Sequence, residues 1–77
     1  MVDVNKLRGK IVEKGMTVDY LASKVGINAS TLYRRLKGGG GSFTIEEADK
    51  IASVLALTAS ELNSIFFAQY VALMRNI

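Results

Sequence analysis

The 77-residue chain contains no cysteine, histidine, proline or tryptophan. Without cysteine no disulfide can form, and without cysteine and histidine the usual structural zinc sites are excluded. Nucleophilic catalysis of the Cys–His or Ser–His kind is excluded as well. The lack of cysteine fits a reducing compartment. No apolar run approaches the roughly 18 residues of a membrane span. The amino-terminal stretch MVDVNKLRGK mixes charged and apolar residues, unlike a signal peptide. A cytoplasmic protein without membrane contact is expected. Without proline, glycine is left as the punctuation of the chain.

Half of the residues are apolar (49%) and 22% are charged. That suits one small domain with one core and a stability of about a few kcal/mol. The net charge of +3 is unevenly spread. Residues 1–41 carry eight lysines and arginines against three carboxylates, a balance of +5, and residues 42–77 carry two against four, a balance of −2. A basic half facing an anionic partner is one reading, and ordinary solvated charge is the other.

Helical spacing recurs in five segments, and no useful length alternates with period two, so the fold class is all-α. The first places Val4, Leu7, Ile11 and Val12 on one face and stops at Gly15. The second, TVDYLASKVG, has Thr17 as cap, Asp19 in the first turn, a face of Val18, Leu21, Ala22 and Val25, and Gly26 as its left-handed end. The third follows the cap Asn28 and sets Ala29, Leu32, Tyr33 and Leu36 against Ser30, Thr31, Arg34, Arg35 and Lys37. Thr44 with Glu47, and Thr58 with Glu61, are capping boxes that open the fourth and fifth. The fourth carries the stripe Ile45, Ala48, Ile51, Ala52 and Leu55, and the fifth carries Leu62, Ile65 and Phe66.

The second and third segments are separated by so few residues that they must cross steeply, the geometry of a helix-turn-helix. Ala22 is small at the expected close approach, and Val25, Ile27 and Leu32 can anchor the third helix, leaving one of its faces free. TVDYLASKVGINASTLYRRLKG followed by FTIEEADKIASVLALTASEL resembles the Cro/CI-type (XRE-like) helix-turn-helix family of phage and bacterial regulators over roughly residues 4–66. The small residue, glycine and apolar anchor at Ala22, Gly26 and Leu32 have that family's spacing. Two positions depart from its pattern. Val18 stands where a glutamine often begins the second helix, and Arg35 stands where an apolar residue is usual, with Leu36 beside it. The second departure suggests a slightly rotated third helix that buries Leu36 and frees Arg35.

The resemblance implies a compact five-helix, lambda-repressor-like domain at 1–66, its helix-turn-helix at about 17–37, and an apolar tail at 67–77. It also favours reading the linker-like run Gly38–Ser42 as native loop, with a floppy connector or an engineered replacement as the alternatives. Aligning Gly26 and KIA needs no insertion, so the run fills the normal loop. Gly38 or Gly39 would end the third helix, and the bare amides of Gly40 and Ser42 could approach phosphate.

The resemblance also implies residue roles. Asn28, Ala29, Ser30, Tyr33 and Arg34 are candidates for base edges, with the Arg34 fork suited to guanine. The alternatives are a cap for Asn28, packing for Ala29, core for Tyr33, and a phosphate or solvent contact for Arg34. Thr17, Lys24, Thr31, Arg35, Lys37, Gly40 and Ser42 are candidates for phosphate. Glu46, Glu47 and Asp49 are the one carboxylate cluster, and helix starts favour such residues, so no enzyme is indicated. In the tail, Phe67, Tyr70, Val71 and Met74 offer an apolar face suited to a dimer contact, the rival reading being a tail that turns back at about residue 67 and closes the monomer's own core. The expected function is a small phage-type repressor in a bacterial host cell. It would bind a double-stranded DNA operator as a homodimer, with helix 29–37 in the major groove, no cofactor and no small-molecule ligand. The alternative is a helical adaptor or antitoxin-like module that docks a protein through the tail.

Overall fold

The computed structural model describes residues 2–39 and 43–67. All five expected helices are present: α1 (Val4–Glu13), α2 (Val18–Val25), α3 (Ala29–Arg34), α4 (Ile45–Val54) and α5 (Ala59–Phe66). The described residues contain no strand. Among them, no helix is long and apolar enough to cross a membrane.

Each helix begins on a side chain that accepts a hydrogen bond from an otherwise orphaned amide. Asp3, unremarked in the sequence, caps α1 by accepting from Lys6 N (3.1 Å). Thr17 accepts from Tyr20 N and Asn28 from Ser30 N. Thr44–Glu47 and Thr58–Glu61 form both bonds of their capping boxes. Helices α1 and α2 end at Gly15 (φ 71°) and Gly26 (φ 83°), as their sequences predict. Helix α4 ends in the same way on a residue that gives no such signal, Ala56, at φ 52°.

The core is built from every helix. Leu7, Leu21, Leu32, Ile51, Leu55 and Ile65 are fully buried, with Ile11, Ala22, Val25, Leu36, Ala48 and Phe66 around them. Helix α2 packs on α3 and α4, while α1 packs on α5 and on the segment after α3. A bond from Asp3 N to the Ile65 carbonyl (2.7 Å) ties the start of α1 to α5.

Three expectations need correction. Ile45 is 79% exposed. It sits in the first turn of α4, where Thr44 and Glu46 are exposed too, and the buried stripe starts only at Ala48. Val12 is 75% exposed, because it lies about 100° around the helix from Ile11 and off the Leu7–Ile11 line. Finally, the third helix does not run as one α-helix to Lys37 and stop at a glycine. After Arg34 it widens into a π turn, Arg35–Gly39. Such turns alter the backbone ladder, and here the Leu36 carbonyl accepts a bond from Arg8 Nε of α1 (3.0 Å). The widened turn still buries Leu36 together with Leu32.

Candidate nucleic-acid interface

The junction of α2 and α3 is set by backbone geometry. Gly26 is left-handed, and the amides of Gly26 and Ile27 both donate to the Ala22 carbonyl, at 2.9 and 3.0 Å. A β-carbon at Gly26 would meet nothing within 4 Å, so conformation rather than space demands glycine here. Ala22, 1% exposed, gives the turn room to fold against α2.

Leu32 and Leu36 hold the inner side of α3 and its π turn, and Ala29 is half-buried against the core. The outer side carries exposed Asn28, Ser30, Tyr33, Arg34 and Lys37, with Thr31 half-buried beside them. Tyr33, which could have been core, is 45% exposed. Thr17 and Lys24 are exposed on α2, and the Lys24 ammonium lies 5.4 Å from the Tyr20 ring centroid. Gly40 and Ser42, and in the tail Tyr70, Val71 and Met74, lie outside the described residues. Phe67 is half-buried against the core at the end of α5.

The amino-terminal corner of α3 is internally ordered. Asn28 Oδ1 accepts from both Ser30 N (2.9 Å) and Ser30 Oγ (2.6 Å). The amide carbonyl of Asn28 is thereby committed to the cap, and its NH2 group is left to donate outward. The Ser30 hydroxyl proton is likewise used, which leaves its oxygen to accept.

At the other end of the helix the structure differs from the sequence expectation. Leu36 is buried as expected, but Arg35 is not thereby freed. Its Nη1 donates to Glu47 Oε1 at 2.8 Å, and its guanidinium lies 5.1 Å from the Phe43 ring centroid. Phe43 in turn meets Phe66 edge to face, with centroids 5.7 Å apart. The Thr44 amide, with Arg35 beside it, holds the Glu47 carboxyl below its usual range. Among the described residues no carboxylate lies within ion-pair distance of Lys24, Arg34 or Lys37. The carboxylates of α4 work as helix-start residues: Glu47 closes its capping box and Glu46 pairs with Lys50 at 3.5 Å.

Sequence reasoning passed over Arg8, which is set on α1 between Lys6 and Lys10. Its bond to the Leu36 carbonyl joins residues far apart in the chain, and no local pattern signals it. Arg8 also borders a groove of about 400 Å³ lined by Ile11, Val12, Met16, Val18 and Tyr33, which gives the exposed Val12 apolar company.

Two helices crossed at a left-handed glycine, the second presenting a polar and basic face, define a helix-turn-helix DNA-binding protein. The model of the Cro/C1-type helix-turn-helix DNA-binding domain matches residues 6–67, and the chain belongs to that family. No curated protein and no solved structure is significantly similar to it.

Proposed function

We propose that the protein is a sequence-specific transcriptional regulator of the repressor type, which lays α3 in the major groove of a double-stranded operator. The observation that carries this is the two-sidedness of α3. Leu32 and Leu36 are buried while Ser30, Tyr33, Arg34 and Lys37 are exposed, so the outer side takes no part in the buried core. Arg34 offers a bidentate fork to a guanine, worth about 1–3 kcal/mol of discrimination. Asn28 offers donors through Nδ2 and Ser30 an acceptor through Oγ. The pair therefore favours a base-edge acceptor beside a base-edge donor. Lys24 and Lys37, with Thr17 and Thr31, are assigned to phosphates on either flank. The protein acts as a homodimer through the apolar tail residues Tyr70, Val71 and Met74, matching a two-fold symmetric operator, while Phe67 is engaged with the core of its own chain.

Binding to random-sequence duplex across a salt series tests the reading. A log–log slope near −2 or steeper, flattened by Lys37→Ala, is the expected result. Selection from a random library should then return a two-fold symmetric site, and Arg34→Ala should relax one position in each half of it. No binding by the wild-type protein at about 50 mM salt would refute the proposal. Sedimentation of the Tyr70→Asp/Met74→Asp variant should show monomer where the wild-type protein shows dimer.

A further inference from the structure

The sequence offers Arg35 as a phosphate contact, one helical position from Arg34. We infer instead that Arg35 is a positioning residue: with Glu47 it clamps the carboxyl end of the recognition helix to α4 and adds no cation to the DNA interface. The inference rests on the DNA-binding reading above and concerns which cations of that site act on DNA.

Three observations carry it. First, the guanidinium is engaged on two sides, by Glu47 Oε1 at 2.8 Å and by the Phe43 ring at 5.1 Å. Its side chain is only 20% exposed, and that of Glu47 24%. Second, the partner is itself fixed. The same Glu47 oxygen accepts from Thr44 N at 2.9 Å, so the carboxylate cannot follow Arg35 outward without opening the cap of α4. Third, the pair stands where the helix needs a tether. Arg35 opens the π turn, and Phe43, Thr44 and Glu47 receive the chain on the far side of residues 38–42. Reaching a phosphate would cost Arg35 a charge-assisted bond and a cation–π contact, and would leave a half-buried carboxylate without its cation. Arg34 and Lys37, exposed and without carboxylate partners among the described residues, meet no such cost.

Pinned in this way, the recognition helix is fixed at both ends: at its start by the Gly26 turn, and at its end by Arg35–Glu47 on one side and Arg8 on the other. The clamp acts on DNA affinity through the helix axis and not through counterion release.

The test has two arms on the full chain. In the first, without DNA, Arg35→Gln, Glu47→Gln and the double variant are unfolded in urea. A clamp gives a coupling of at least about three-fold in the unfolding constant, and additive effects overturn it. In the second, the same variants and Lys37→Ala are titrated with random-sequence duplex across salt, at a temperature where each is folded. Arg35→Gln should bind more weakly by the same factor at every salt, keeping the wild-type slope, while Lys37→Ala flattens the slope by about 0.9 for each protomer bound. Flattening by Arg35→Gln to the same degree makes it a phosphate ligand and refutes the inference. Unchanged binding makes the pair a stability element only, and refutes it too. Should Arg35→Gln fail to fold, the double variant, which keeps the shape and removes both charges, supplies the slope. If the wild-type protein does not bind duplex, the DNA reading falls, and the first arm alone decides whether the clamp exists.

Discussion

Ala56→Gly should stabilise the protein. Helix α4 ends with Ala56 N donating to the Ser53 carbonyl (3.2 Å) and Leu57 N to the Ala52 carbonyl (2.9 Å). That pair of bonds is the one α1 makes at Gly15 and Met16, to Val12 and Ile11. The geometry requires a left-handed residue, and Ala56 supplies it at φ 52°. A side chain in that region costs about 1–2 kcal/mol. Glycine removes that cost but has more freedom to lose on folding, about 0.5–1 kcal/mol. Ala56 is exposed, so its methyl group contributes little burial. The net gain is about 0.5–1 kcal/mol, a rise in Tm of roughly 3–6 °C for a domain of this size. Thermal melting by circular dichroism reads it directly, and DNA affinity should not change, because the α4–α5 turn stands apart from α3. A Tm equal to or below that of the wild-type protein would refute the reasoning, since it would mean that Ala56 carries no backbone strain.

The mirror substitution has the opposite sign: Gly26→Ala should cost about 1 kcal/mol in melting experiments, and Gly26→Asn less, because only conformation is at stake there. Leu32→Ala, at a fully buried site, should cost about 3 kcal/mol and abolish most of the cooperative transition. Acid should weaken the fold in a defined window. Bonds from Lys10 and from the Thr58 amide hold Glu61 at about 2, below the ordinary value of 4.5, and Glu47 is lowered as well. A carboxylate depressed in the folded state stabilises above its unfolded value and loses that contribution as pH falls through the folded one. Tm should therefore hold steady just above pH 4.5 and drop between pH 4.5 and 2, with a shallower drop in Glu61→Gln.

The parts of the fold legible in the sequence are those whose physics is local. A capping box is closed within four residues, and a glycine in a left-handed turn reports its own backbone. Hence Thr44–Glu47, Thr58–Glu61, Gly15 and Gly26 were all readable, and with them the helices they bound. The turn at Ala56 was not, because alanine adopts it under strain and leaves no mark in the sequence. Apolar spacing predicted Leu7, Leu21, Leu32 and Ile51 as core but failed at Val12 and Ile45. Periodicity gives the direction of a side chain, whereas burial also requires a partner helix opposite it. The same limit governs the site. The outer face of α3 followed from the pattern of one helix, while Arg8 to Leu36 and Arg35 to Glu47 join separate elements. A run of basic residues looks uniform in sequence. Tertiary structure alone divides it into cations that face solvent and cations that hold the helix.

That division bears on how such a small reader works. The α-helical part of the recognition helix has six residues, Ala29–Arg34, far fewer than the roughly 12–15 an isolated helix needs in water. Its shape must come from outside: from the Gly26 turn, the burial of Leu32 and Leu36, and the arginine tethers at its far end. None of these uses the side chains of Arg34 or Lys37, and Ser30 serves only the local cap. On the proposed reading, stability and DNA contact are therefore carried by different residues of the same short segment, the Asn28–Ser30 cap excepted. Arg34→Ala and Lys37→Ala should each shift stability by no more than about 0.5 kcal/mol while changing DNA binding. A large loss of stability in either would mean that the reading face also holds the fold, contrary to the two-sided helix from which the function is argued.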